Sequence, residues 1–89
     1  MYRTTIICKG LAKEAGEEAA FDIEKEFKEH RDWLKNVSCK WDGSELKLIA
    51  DNDFDSNGQA GLDEFGDCLA AYVEDYFDSS IEILSVNEI

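Results

Sequence analysis

The chain has 89 residues, 44% of them hydrophobic, and 21 acidic against nine basic side chains give it a formal net charge of −12. That length suits a single α+β domain spanning residues 1–89 with a limited core, and the apolar content excludes a disordered acidic tail. Charge of this sign argues against nucleic acid and anionic membrane as partners, no apolar run approaches the ~20 residues of a bilayer crossing, and no secretory leader is read at the N-terminus.

Tyr2 to Gly10 (YRTTIICKG) is β-branched and alternating, which predicts a strand closed by Gly10. Tyr2, Thr4, Ile6 and Cys8 would share one face, and Arg3, Thr5, Ile7 and Lys9 the other. From Ala12 to Leu34 the periodicity becomes helical, with Ala15, Ala19, Ile23 and Phe27 as the stripe and Ala20 and Leu34 beside it. Glu14, Glu17 and Glu18 at the start, and Lys28, Arg31 and Lys35 at the end, suit the helix dipole. Phe21 and Trp33 fall off the stripe and are expected to cover its flanks. His30, the single histidine, is expected on the helix surface.

Asp42-Gly43 is a two-residue hairpin signal. A turn there pairs Trp41 with Ser44, Cys39 with Leu46 and Val37 with Leu48, and sets Lys40 against Glu45 on the opposite face. After a polar stretch, Leu62, Phe65, Leu69, Tyr72 and Tyr76 recur at helical spacing, with Val73 and Phe77 adjoining. Ser80 to Val86 then reads as a closing strand.

Strand, helix, strand, strand, helix, strand is the order of the split β-α-β, or ferredoxin-like, architecture: a four-stranded antiparallel sheet with two helices on one face. The first and third strands would be central and the fourth would flank the first. Ile7, Ile49, Leu84 and Val86 are then expected on the open face, where a contiguous apolar patch would suit a partner or a homodimer. Scattered surface apolar side chains among Thr5, Lys47 and Glu82 are the alternative.

The sharpest local pattern is Asp53-x-Asp55-x-Asn57-Gly58-Gln59-x-Gly61-x-x-Glu64, which fits the expression D-x-[DN]-x-[DN]-G-x5-E. Alternate positions aim oxygens inward, Gly58 permits a sharp turn, the Gln59 carbonyl supplies a further oxygen, and Glu64 closes the site with two. With Phe65 following in the new helix, the stretch resembles the calcium loop of EF-hand proteins over these dozen residues. That resemblance implies Ca²⁺ bound by Asp53, Asp55, Asn57, Gln59 and Glu64. Ala60 departs from the larger aliphatic residue usual in the family, a strand rather than a helix precedes the loop, and no second loop exists. The alternative is a helix cap by Asn57 or Asp55, with Asp63 and Glu64 in the first turn.

Cys8, Cys39 and Cys68 are widely spaced and odd in number, which suits reduced core cysteines in a cytoplasmic protein rather than disulfides or zinc. No Cys–His pair, phosphate loop or aromatic RNA-binding sheet is legible, so no catalytic residue is assigned. Residues 1–47 hold all nine basic side chains, while residues 48–89 hold eleven carboxylates and no Lys, Arg or His. The expectation is a small, non-catalytic interaction protein whose acidic C-terminal half engages a basic protein partner, with the calcium loop as the alternative.

Overall fold

The computed structural model describes residues 1–73 and 79–89. The elements run β1 (Tyr2–Lys9), α1 (Lys13–His30), β2 (Lys35–Trp41), β3 (Glu45–Asn52), α2 (Gln59–Tyr72) and β4 (Ser80–Glu88). The strands form one antiparallel sheet in the order β2-β3-β1-β4, so the first and third strands are central and the fold is ferredoxin-like. Tyr76 and Phe77, expected in the second helix, lie outside the described residues. Among the described residues no helix is long and apolar enough to cross a membrane.

The predicted stripes become the core. Ala19, Ala20, Ile23 and Phe27 of α1 meet Phe65, Cys68 and Leu69 of α2 above Ile6, Cys8, Cys39, Leu46, Leu48 and Ala50 of the sheet. Phe27 and Phe65 are fully buried, and truncating either would cost about 3–5 kcal/mol. Phe21 covers no flank; it stands exposed on α1. Tyr72 is also exposed, with its hydroxyl donating to Glu26 at 3.3 Å.

Helix α1 stops four residues before Leu34. The Arg31 amide closes the last turn on the Phe27 carbonyl, and the Leu34 amide then turns back onto the Arg31 carbonyl at 3.0 Å. Trp33 therefore leaves the helix and belongs to the α1–β2 loop.

Two register expectations need correction. In the hairpin, Trp41 lies opposite Leu46, Cys39 opposite Leu48 and Lys40 opposite Lys47, a shift of two residues that keeps the faces and removes the Lys40–Glu45 pair. A two-residue type I′ turn needs positive φ at both central residues, and only Gly43 has it, at 102°. Asp42 widens the turn instead: its carboxylate accepts the amides of Ser44 at 2.9 Å and Glu45 at 2.8 Å. In β4, a bulge shifts the register between Thr5 and Ile6, so that Ile6 lies opposite Ile83 while Thr5 lies opposite Ser85. The extra residue, Leu84, is half exposed, and the strand changes phase after it. Val86 consequently lies opposite Thr4 and packs toward Gly58 on the helix side, not on the open face.

Lys40, facing another lysine, reaches round the sheet edge to Glu24 of α1 at 3.2 Å. The same Glu24 oxygen accepts the Cys39 amide at 2.9 Å, so a helix carboxylate occupies an outward N–H of edge strand β2 and blunts that edge.

Helix α1 packs against β2 at Gly16, which lies buried against the Trp41 indole. A Cβ at this position would overlap the ring. Gly16→Ala should therefore destabilise the protein by about 1–3 kcal/mol, although Ala is favoured by ~1 kcal/mol in an unconstrained helix. Urea unfolding checks this; a stabilised variant would mean that the helix–sheet contact is looser than described.

Candidate functional site

The segment joining β3 to α2 is organised by two buried polar side chains. Asn52, at the end of β3, accepts the amides of Phe54 at 3.0 Å and Asp55 at 2.6 Å through Oδ1. This reverses the chain directly above a central strand. Asp55 is buried and accepts the amides of Ala60 at 3.3 Å and Gly61 at 3.0 Å with its two oxygens. It thereby caps donors that the first turn of α2 leaves unpaired. Gly58, at the cap position with φ of 77°, adopts a left-handed conformation that costs a non-glycine residue.

The residues of the calcium-like pattern have these places. Asp53 is exposed, and Asp55 is engaged by α2. Asn57 accepts the Gln59 amide at 3.1 Å. Gln59 is the first residue of α2, so the second half of the pattern is already helical. Glu64, in the second turn, receives the Arg31 guanidinium at 2.6 Å. Among the described residues no three His, Cys, Asp or Glu side chains gather as a metal ion would need. The helix-cap alternative is realised in Asp55 and Asn57, whereas Asp63 and Glu64 fall beyond the first turn.

Arg31 is a hub that sequence reading did not single out. It pairs with Glu64 and, at 3.0 Å, with Glu26, while its guanidinium lies 5.1 Å from the centre of the Phe27 ring. The two charge-assisted bonds tie the end of α1 to α2. Hydrogen bonding from Arg31 is also the leading reason that the Glu26 carboxyl is held below the usual range. Beside this hub, Trp33 and Phe54 come from two separate loops and meet with ring centroids 5.1 Å apart and planes tilted by 48°. Arg31 and Glu64 are 33 positions apart, and no local periodicity reports such pairings.

The open sheet face holds a different cluster. Asp51 on β3 is fully buried and receives both Arg3 Nε and Nη2 at 2.9 Å, with Asn36 Nδ2 adding a third bond at 2.9 Å. Asn36 reaches it from an irregularity in β2, where its φ is 51°. These partners use the Asp51 oxygens internally. Of the apolar group expected on this face, Ile7 is only 3% exposed, Ile49 is half-buried and Leu84 projects from the bulge.

The cysteines are buried and free. Burial, followed by the nearby Glu24, pushes the Cys39 thiol up to about 12, and burial pushes Cys68 up to about 11. At neutral pH both are therefore thiols rather than thiolates. A cleft of about 640 Å³ is lined by Lys28, Asp32, Leu34, Lys35, Asn36 and Val37, and a smaller one of about 210 Å³ by Asp22, Lys25, Glu26, Glu29 and Tyr72.

The Arg3 hydrogen bonds hold the Asp51 carboxyl below its ordinary value, against the opposing effect of burial. A depressed folded-state value stabilises the protein above the unfolded carboxylate pKa of about 4. That contribution is lost as pH falls through the lower folded value. Asp51→Asn should cost about 2 kcal/mol at neutral pH and lose less further stability than the parent on acidification below about pH 4. Urea midpoints at pH 7 and pH 3 measure both effects; parallel acid losses would contradict the assignment. Comparison with protein-family models, with curated proteins and with solved structures finds no match to this chain.

Proposed function

We propose that this chain is a small, non-catalytic interaction protein, acting in the cytoplasm, whose acidic surface engages a basic protein partner. The supporting observation is that the described charges sort by layer. The open sheet face carries Arg3, Lys9, Lys35, Lys40 and Lys47, interspersed with Glu45, Asp51 and Glu82. The helix layer and its adjoining loops carry Glu14, Glu17, Glu18, Asp22, Asp32, Asp53, Asp63 and Asp67, and none of these has an ion pair among the described residues. Lys13 and Lys25 are the cations of that layer without an ion pair among the described residues.

The C-terminal half supplies less of this surface than its composition suggests. Asp51 and Asp55 are buried, and Glu64 is paired with Arg31. Glu74, Asp75 and Asp78 lie outside the described residues. Among the described residues, helix α1 contributes as many carboxylates without an ion pair as α2 and the loops together. Reduced, buried cysteines support the cytoplasmic placement. Self-association through the open face would rest on Leu84 and part of Ile49, because Ile7 is buried and Val86 faces the helices.

The experiment is a binding titration with a basic partner, and in its absence with an arginine–glycine octapeptide, at rising salt. Affinity should fall roughly tenfold between low ionic strength and about 0.15 M. A salt-independent affinity would remove the electrostatic reading. The cation alternative is tested in the same samples by an amide-resolved Ca²⁺ titration. Weak, spread shifts reproduced by Mg²⁺ are expected, because a site built from Asp53, Asp55, Asn57, Gln59 and Glu64 requires Asp55 to release two amides and Glu64 to release Arg31. Saturable shifts confined to residues 53–64 would make calcium the ligand.

A further inference from the structure

We propose that the Trp33–Phe54 pair, with Asp53 and Asp32 beside it, is the point at which an arginine- or lysine-bearing segment of the partner docks. The proposal rests on reading the acidic surface as the one that meets a basic partner, and it locates that contact.

Trp33 packs against the core while its ring meets Phe54, which is 59% exposed. The pair is thus anchored on one side and free on the other. The position of Phe54 is held from behind: its amide is bonded to the buried Asn52 side chain, and the next residue, Asp55, is locked to the start of α2. A rigid, exposed aromatic surface of this kind suits recognition, since little ordering cost remains to be met on binding.

Charge chooses the ligand. Each ring is preceded by an exposed carboxylate, Asp32 before Trp33 and Asp53 before Phe54, and neither has an ion pair among the described residues. Arg31 cannot neutralise them, because it is committed to Glu26 and Glu64 and lies over Phe27 instead. A purely apolar partner would satisfy the rings and strand both carboxylates out of water. A phosphate or carboxylate ligand would be repelled. A guanidinium or ammonium satisfies both features at once, stacking on a ring face while donating to the adjacent carboxylate. Of the two acids Asp53 carries more of the interaction, since Asp32 also lines the cleft that holds Lys28 and Lys35.

The test uses the full chain and the arginine–glycine octapeptide at low salt, read by amide shifts and the Trp33 indole resonance. Phe54→Ala and Phe54→Leu should each weaken binding about five- to tenfold, the leucine variant isolating loss of the π face from loss of bulk. Asp53→Asn should weaken it several-fold, and the double variant Glu17→Gln/Glu18→Gln should have a smaller effect although it removes more charge. If the peptide binds but Phe54→Leu is silent and all acidic variants act in proportion to charge, the site is wrong while the acidic-surface reading stands. If the peptide fails to bind at low salt, both are wrong.

Discussion

The chain must pass from a central strand into a helix lying across the same sheet within a few residues, and the polar connection between Asn52 and Gly61 meets that constraint. Asn52 and Asp55 do so with side-chain oxygens rather than backbone pairing, because neither the end of β3 nor the first turn of α2 can satisfy its own amides there. Gly58 completes the reversal in the left-handed region. A side chain at this point would stand 3.0 Å from Val86 and 3.1 Å from Ile83. The connection is therefore built against β4, and the phase change at the Leu84 bulge is what brings Val86 beneath it. The start of α2, the bulge in β4 and the outward pose of Phe54 form one linked arrangement.

Much of the fold was legible because each element carries its own period. Alternation in β1 and the four-residue stripe of α1 report burial directly, and the strand order follows from the succession of elements. Register was not legible, since it depends on single side chains acting outside the period. Asp42 accepts two amides and shifts the hairpin by two residues, overriding a cross-strand charge match. One extra residue in β4 moves Val86 to the other face. Of the candidate site, the five pattern residues were visible as a motif, but Arg31 and Trp33 were not. Their partners come from the other half of the chain, and α1 appeared long enough to absorb both.

Counting charge along the chain divided it into a balanced half and an acidic half, whereas folding divides it into layers. Strands β1, β2 and β3 take their lysines and Arg3 to one side of the sheet, and α1 takes its carboxylates to the other. An α-helix on a sheet must present its polar residues to solvent on the side away from that sheet, so the acid-rich N-terminal half of α1 joins the acidic surface despite its basic neighbours in sequence. A partner steered by this field would meet the helix layer and its loops. The open sheet face, with five basic side chains among three carboxylates, exerts no such attraction on it.

The calcium-like spacing also serves the start of a helix. Helix capping and cation coordination call for the same components: closely spaced Asp and Asn oxygens, a glycine free to take positive φ, and a carboxylate one helical turn or more beyond. What separates them is where the helix begins. A coordinating loop keeps its oxygens pointing inward through its seventh position and reserves its last carboxylate for the ion. Here that seventh position, Gln59, already opens α2. The Asp55 and Asn57 oxygens accept amides at the start of the helix, and the last carboxylate pairs with Arg31 at the end of the preceding helix. Asp55, Asn57 and Glu64 thus each serve a donor that folding must satisfy in any case. For an acidic segment leading into a helix, the spacing of the acids is therefore common to both readings, and the first residue with helical geometry shows which oxygens the helix itself uses.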